Sequence, residues 1–144
     1  MINKTPAVSV IIPTYNRPDR LRTAITSVLN QDFQDFQIIV VNDGTTPVEA
    51  VVNELNRDGR IILVTHDRNR GLAASRNTGL RQASGKYVCY LDDDDRLLPH
   101  HLRTLVTHLE SSGDKIAYTD AWRDRKSTRL NSSHSQQSRM PSSA

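Results

Sequence analysis

A chain of 144 residues with 36% hydrophobic residues is long enough for one domain with a substantial core. Its formal net charge of +3 comes from residues 125–144, which hold four basic residues and no acid, so the rest of the chain has a net charge of −1. The basic composition therefore does not indicate nucleic-acid binding. The single cysteine excludes a disulfide framework, and no apolar stretch approaches the ~20 residues that span a bilayer. We therefore expect a cytoplasmic protein, with peripheral association at the cytoplasmic face of a membrane left open.

Apolar runs and amphipathic segments alternate along the chain. Segments with apolar residues every three or four positions predict helices that begin near Pro18, Val48, Leu72 and Pro99. The runs between them are apolar throughout and predict strands at 7–13, 36–41, 61–64 and 87–91, with a fifth at 116–118. This alternation predicts an α/β fold: a Rossmann-like, mostly parallel sheet with helices on both faces.

Three of the predicted strands end in conspicuously polar residues, at 13–16, 42–44 and 92–95. In parallel sheets the carboxyl ends of the strands share one edge, and ligands bind there near a switch in strand order. We therefore expect the three exits to form one site.

Residues 87–95 (YVCYLDDDD) change abruptly from apolar side chains to four aspartates. Four adjacent carboxylates repel one another unless a cation joins them. Asp92 and Asp94 are one residue apart in an extended exit, so their side chains should point the same way and can hold Mg²⁺ or Mn²⁺ beside a diphosphate. Asp93 should then face a ribose or sugar hydroxyl, and Asp95 should brace the loop. The alternative is a solvated acidic turn before the next helix.

The other two exits offer groups for a nucleoside. Tyr15 follows a strand that ends in Pro13, so its ring should be displayed where it can cover a planar base, while Thr14 or backbone groups read the base edge. Asp43 lies at the tip of the second strand, where nucleotide-binding α/β folds often place an acid. Ordinary turn residues are the alternative for Tyr15 and Asp43.

Arg76 lies four residues after Leu72, so the helical repeat turns it toward the sheet, which is unusual for an arginine without a partner. A salt bridge to one of the aspartates or a contact with phosphate or base would explain that position. Four histidines show no metal-ligand spacing and are expected at the surface: His66, His100, His101 and His108.

Four segments together resemble the family 2 glycosyltransferases of the GT-A fold: 8–16 (VSVIIPTYN), 40–44 (VVNDG), 69–77 (NRGLAASRN) and 90–95 (YLDDDD). The resemblance covers about residues 6–120, and the order and spacing of the segments make it specific. It implies a nucleotide-diphospho-sugar donor, commonly a UDP-sugar, and transfer to an acceptor hydroxyl with inversion at the anomeric carbon.

By position, the resemblance implies that Pro13, Thr14, Tyr15 and Asp43 form the nucleoside pocket, with Arg76 near it. It also implies that Asp92 and Asp94 are an Asp-x-Asp pair that binds Mn²⁺ or Mg²⁺, with Asp94 the more secure ligand. Asp93 would contact the ribose or sugar. The metal would neutralise charge on the departing diphosphate.

Inversion also requires a general base that deprotonates the acceptor. In this family the base belongs to the second half of the catalytic domain, and the acids downstream lie in no context typical of it: Asp114, Asp120 and Asp124. We therefore expect residues 1–124 to be the donor- and metal-binding half of a glycosyltransferase, incomplete and lacking the base. The serine-rich residues 125–144 resemble a translated cloning sequence and are expected to be a disordered, non-native tail.

Two other functions fit parts of the pattern. A non-catalytic nucleotide-sugar-binding module would carry the same motifs, and the sequence leaves this alternative open. A phospho-signalling α/β domain is disfavoured, because it needs an acid pair after its first strand, where this chain has Thr14 and Tyr15. We expect no nucleic-acid partner, and the acceptor, whether a saccharide, a lipid-linked or a protein group, is not predicted.

Overall fold

The computed structural model describes residues 4–121. Strands and helices alternate in it: β1 (Val8–Thr14), α1 (Pro18–Leu29), β2 (Phe36–Asn42), α2 (Glu49–Leu55), β3 (Ile61–Thr65), α3 (Leu72–Gln82), β4 (Tyr87–Tyr90) and α4 (His101–Ser112). Residues up to Pro99 form one compact unit, and α4 belongs to a second unit that begins at His100. The predicted tail, 125–144, lies outside the described residues. None of the helices described between residues 4 and 121 is long and apolar enough to cross a membrane.

The four strands form one parallel sheet in the order β3-β2-β1-β4. The chain moves outward from β1 to β3 and then returns to the other side of β1, so the strand order switches between β1 and β4. Right-handed crossovers place α1 and α2 on one face and α3 on the other. The predicted α/β fold is confirmed, and its switch point lies where β1 and β4 end side by side.

The core of the first unit lies around β1 and β2, which are buried along almost their whole length. Helix α1 begins with Pro18 at its first position, as predicted. It then buries one apolar face, whose members are Leu21, Ala24, Ile25 and Val28. Each large aliphatic side chain removed from water in this way contributes about 1.5–3 kcal/mol before entropy is subtracted. The resulting rigid sheet fixes the positions of the strand ends.

Helix α3 packs on the sheet through small residues rather than through the predicted apolar face. Leu72 and Leu80 are 52% and 41% exposed, whereas Ser75 and Gly79 are buried. A Cβ atom on Gly79 would lie 2.4 Å from Cγ2 of Ile11 in β1. The small residues allow the helix backbone to approach β1 closely, and this close approach overrides the leucine periodicity.

Two strand predictions need correction. Residues 116–118 form no strand, and Ile116 is 67% exposed; no strand described between residues 4 and 121 pairs with this segment. Strand β4, predicted to be buried, pairs only with β1 among the described strands, and its Val88 and Tyr90 side chains are exposed. Alternate β4 side chains therefore face solvent in the described part of the chain, although all of them are apolar.

Candidate functional site

The polar exits of β1, β2 and β4 meet at one edge of the sheet. The Asp43 backbone N–H donates to the Thr14 carbonyl (2.9 Å), which joins the β2 exit to the β1 exit. The Thr14 hydroxyl donates to Asp93 (2.8 Å), which joins β1 to β4. The side-chain oxygen of Asn16 also accepts bonds from two backbone N–H groups in the loop after β2. Hydrogen bonds therefore connect all three predicted exits.

These exits line a cleft of about 300 Å³ at the switch point between β1 and β4. Its wall contains every predicted site residue except Arg76: Pro13, Thr14, Tyr15, Asp43, Asp92, Asp93 and Asp94. The rest of the lining consists of Arg17, of two residues in the loop before α3, and of two residues in α3: Asn69, Gly71, Leu72 and Ser75. A second cleft of about 380 Å³ lies between α1 and residues 96–99, but no carboxylate lines it. The carboxylates are therefore concentrated in the first of these two clefts.

Asp43 is buried and held by the loop that leads into α3. Its Oδ1 accepts from the Arg70 N–H (2.7 Å) and faces His66 Nδ1 (2.8 Å), while Oδ2 accepts from the Gly71 N–H (2.9 Å). Gly71 has φ of 95°, a conformation that suits glycine. Burial by itself raises the pKa of Asp43, but the hydrogen bonds from His66, Arg70 and Gly71 outweigh it and hold the pKa below its ordinary value. Asp43 is therefore ionised and fixed in orientation.

His66 is a buried part of this network, so its predicted surface position is wrong. Its Nδ1 contacts Asp43, and its Nε2 lies 2.8 Å from the Thr78 hydroxyl on α3. An ionised carboxylate only accepts hydrogen bonds, so the proton between His66 and Asp43 belongs to Nδ1. His66 directly follows β3, and the rule that identified the other strand exits applies to it equally. That signal was present in the sequence.

Asp93 is 2% exposed and joins β4 to the β1 exit. Its Oδ2 accepts from the Thr14 hydroxyl and, at 3.4 Å, from the Tyr15 N–H, while Oδ1 forms an ion pair with Arg17 (2.9 Å). A carboxylate has about four acceptor positions, so roughly one remains for a ligand. The single hydroxyl hydrogen of Thr14 is used by Asp93, which leaves only the Thr14 oxygen as an acceptor.

Residues 92–95 form a turn rather than the extended exit that we predicted, since the Asp95 N–H donates to the Asp92 carbonyl (3.0 Å). Asp92 and Asp94 nevertheless lie together, and Asp95 joins them: one carboxylate oxygen from each falls within 4.8 Å of the others. Lost hydration and the negative charges of Asp94, Asp92 and Asp93 raise the pKa of Asp95. Three mutually repelling carboxylate oxygens at this separation fit a hard divalent cation, which takes oxygen ligands.

Arg76 lies beside this acidic turn, outside the cleft lining. Its Nη2 is 3.3 Å from Asp92 Oδ1, and its guanidinium lies 5.5 Å from the centre of the Tyr90 ring. The Arg76 Nε atom is buried without a hydrogen-bond partner. The structure thus places Arg76 in the salt bridge that the sequence offered as one of two explanations.

The cleft residues that sequence reasoning missed include Leu72 and Arg17. Leu72 was assigned to the helix core, but it is exposed at the start of α3 and shares the cleft lining with Tyr15. Arg17 immediately precedes α1 and contacts both Asp93 and Asp94. Only its proximity to the β1 exit in the sequence could have indicated Arg17.

Comparison with known proteins agrees with this geometry. The model of glycosyl transferase family 2 matches residues 9–144. A β-1,3-glucosyltransferase of Campylobacter jejuni that acts on GalNAc(5)-diNAcBac-PP-undecaprenol is 44% identical over 104 residues, covering 70% of this chain and 34% of the relative. The succinoglycan biosynthesis protein ExoO of Rhizobium meliloti is 33% identical over 116 residues, covering 81% and 33%.

Two solved structures share the fold. Staphylococcus aureus TarS 1–349 in complex with UDP-GlcNAc has a TM-score of 0.69 at 27% identity and covers 74% of this chain and 32% of that one. The mannosyltransferase PcManGT of Pyrobaculum calidifontis, in complex with GDP-Man and Mn²⁺, has a TM-score of 0.67 at 29% identity and covers 74% and 33%. The chain spans about a third of the length of these four proteins. The expected family is confirmed: this chain belongs to glycosyl transferase family 2.

Proposed function

We propose that this chain binds the donor of a metal-dependent, inverting glycosyltransferase: a nucleotide-diphospho-sugar, with uridine as the nucleoside. The observation that carries the proposal is the meeting of a fixed carboxylate, Asp43, an exposed ring, Tyr15, and a three-carboxylate cluster around one cleft at the switch point. Relatives in complex with UDP-GlcNAc and with GDP-Man and Mn²⁺ support the same class of ligand.

The cleft offers exposed apolar surface for a base. Tyr15 and Leu72 are both about half exposed, and both line the cleft although they come from different elements. A planar base in contact with both would cover apolar surface that now faces water, at about 25 cal/mol per Å² buried. Aromatic stacking tolerates any base, so Tyr15 and Leu72 supply affinity rather than discrimination.

Asp43 would discriminate between the bases of different nucleotides. Three of its roughly four acceptor positions are filled by His66, Arg70 and Gly71, and the remaining position is on Oδ2. Uracil presents one imide N–H between two carbonyls, whereas guanine presents two adjacent donors that a carboxylate meets with both oxygens. A single free acceptor position therefore favours uridine. Only one position is free because His66, Arg70 and Gly71 occupy the other three.

The cluster of Asp92, Asp94 and Asp95 would hold the cation, with Asp92 and Asp94 as the proposed Asp-x-Asp pair. A bound Mn²⁺ or Mg²⁺ would supply Lewis-acid stabilisation of charge on the leaving diphosphate. Asp93, with one acceptor position left, would orient a ribose or sugar hydroxyl. We assign the general base that deprotonates the acceptor to no residue of this chain. Sugar transfer is proposed as an activity of the whole protein, in the cytoplasm.

Titration calorimetry with UDP tests the proposal. We expect binding in the presence of Mn²⁺, loss of that binding with excess EDTA, and the same loss in Asp94→Asn. Asp58→Asn is the matched control, because Asp58 is an exposed acid paired with Arg60 away from the cleft. GDP should bind at least tenfold more weakly than UDP. Equal binding of UDP with and without Mn²⁺, or an unchanged affinity in Asp94→Asn, would contradict the site assignment.

A binding module and an enzyme share all of these binding results. Release of UDP from UDP-sugar in the presence of an acceptor distinguishes them, because only an enzyme turns over. The assay for UDP release should be run on a protein as long as the relatives.

A further inference from the structure

Arg17 holds two aspartates with unequal strength. Its Nη2 lies 2.9 Å from Oδ1 of the buried Asp93, whereas its Nη1 lies 3.4 Å from Oδ2 of the exposed Asp94. The first contact is a short ion pair to a buried carboxylate, and the second is a longer hydrogen bond between two exposed side chains. Arg17 is itself 46% exposed and lines the cleft. One end of the guanidinium is therefore anchored and the other end is exchangeable.

The charges around the acidic turn do not balance among residues 4–121, the part of the chain that the structure describes. Four carboxylates, at residues 92–95, meet two guanidiniums, those of Arg17 and Arg76, which leaves two negative charges. One divalent cation would complete the balance. A nucleoside diphosphate then adds at least two further negative charges, and within residues 4–121 the one cationic side chain that lines the cleft, Arg17, is already paired with two aspartates.

We infer that Arg17 is a diphosphate-binding residue that exchanges its Asp94 contact for a phosphate oxygen when Asp94 takes up a cation. The inference rests on the proposed function. Asp93 keeps the guanidinium in place during the exchange, so little side-chain entropy is lost when phosphate arrives. Arg76 fits this role less well, because it lies outside the cleft lining and against the Tyr90 ring.

The inference predicts opposite effects of one substitution on two ligands. In Arg17→Gln, Mn²⁺ alone should bind about two- to fivefold more tightly, because an exposed competitor for Asp94 has gone. At saturating Mn²⁺, UDP should bind about tenfold to a hundredfold more weakly, because a charge-assisted bond to phosphate is lost. Uridine, which has no phosphate, should bind as it does to the wild type. Electron paramagnetic resonance measures the first affinity, calorimetry the second and ligand-observed NMR the third.

Arg17→Gln also removes a partner of the buried Asp93, so a second variant separates folding from binding. Arg17→Lys keeps one charge near Asp93 but cannot span two oxygen partners as a guanidinium does. It should recover the stability lost in Arg17→Gln and still bind UDP more weakly than the wild type. Arg22→Gln is the control: Arg22 lies on α1 and pairs with Glu54, so all three affinities should stay unchanged.

The outcomes separate this inference from the proposed function. A wild-type chain that binds neither UDP nor uridine contradicts the proposed function and the inference with it. A wild-type chain that binds both, with UDP affinity unchanged in Arg17→Gln and Arg17→Lys, overturns the inference alone. Parallel weakening of Mn²⁺, UDP and uridine in both Arg17 variants would overturn it too, since that result indicates a purely structural arginine.

Discussion

The bond between the Thr14 hydroxyl and Asp93 should be a measurable part of the stability of this fold. Both side chains are almost fully buried, and the donor–acceptor distance is 2.8 Å. Replacing Thr14 by valine keeps the shape and removes the donor. The Asp93 carboxylate then retains Arg17 at 2.9 Å and a long contact to the Tyr15 N–H at 3.4 Å. A hydrogen bond to a buried charge is worth about 1.5–3 kcal/mol, so we expect a loss of roughly 2 kcal/mol.

Urea unfolding at neutral pH without divalent ions is the assay. With an m-value of about 1–3 kcal/mol per molar, a loss of that size lowers the midpoint by about 1 M. Thr23→Val is the matched control, because Thr23 is an exposed threonine of α1 whose hydroxyl makes only a 3.4 Å bond to a backbone carbonyl, and its effect should stay within about 0.5 kcal/mol.

A double-mutant cycle tests whether the stability lost in Thr14→Val is due to the charge of the Asp93 carboxylate. In the Asp93→Asn background the Thr14 hydroxyl meets a neutral acceptor, and bonds to neutral acceptors are about half as strong. The cost of Thr14→Val should therefore fall by about 1 kcal/mol in that background. Costs that add within about 0.3 kcal/mol would refute the claim that the charge of Asp93 is what the hydroxyl stabilises.

Three further changes test other parts of the structure. Because the fold lowers the pKa of Asp43, its contribution is present above the unfolded value of 3.8 and is lost as pH falls through the folded value, so the urea midpoints of wild type and Asp43→Asn should converge on acidification. Asp95 has a raised pKa, so its ionisation destabilises the fold as pH rises; Asp95→Asn should melt above the wild type at neutral pH in EDTA, and the gain should shrink in acid. Gly79→Ala places a Cβ 2.4 Å from Ile11 and should cost about 1–3 kcal/mol by urea unfolding; an unchanged midpoint would show that α3 shifts freely.

The sequence was sufficient to predict the fold and the meeting of the strand exits, because both follow from strand direction and helix periodicity. Strands that are apolar throughout must be covered on both faces, and parallel strands present all their carboxyl ends at one edge. The direction of the strands is therefore enough to place Tyr15, Asp43 and the aspartates at one edge of the sheet. It does not depend on exact element boundaries.

The errors arose where close packing or local turns override periodicity. Leucines at helical spacing indicated the buried face of α3, but the backbone approaches Ile11 so closely that only Ser75 and Gly79 fit there. The β4 exit was treated as extended, yet Asp92 and Asp95 close a turn. Pairings such as Arg17 with Asp93 join residues far apart in sequence, and a single sequence considered by itself gives no means of detecting them.

The aspartates of this site divide into two groups with different physical tasks. Asp43 and Asp93 are buried, and protein donors already fill about three of the four acceptor positions of each, so they are rigid and can add only one bond to an organic ligand. In the described part of the chain, Asp92 and Asp94 have only long guanidinium contacts of 3.3 and 3.4 Å, and burial together with their charges raises the pKa of neighbouring Asp95. A cation therefore relieves repulsion that the protein leaves uncompensated, whereas a diphosphate arriving first would add to it. On this argument cation binding precedes or accompanies diphosphate binding, and the nucleoside end of the cleft needs no such order.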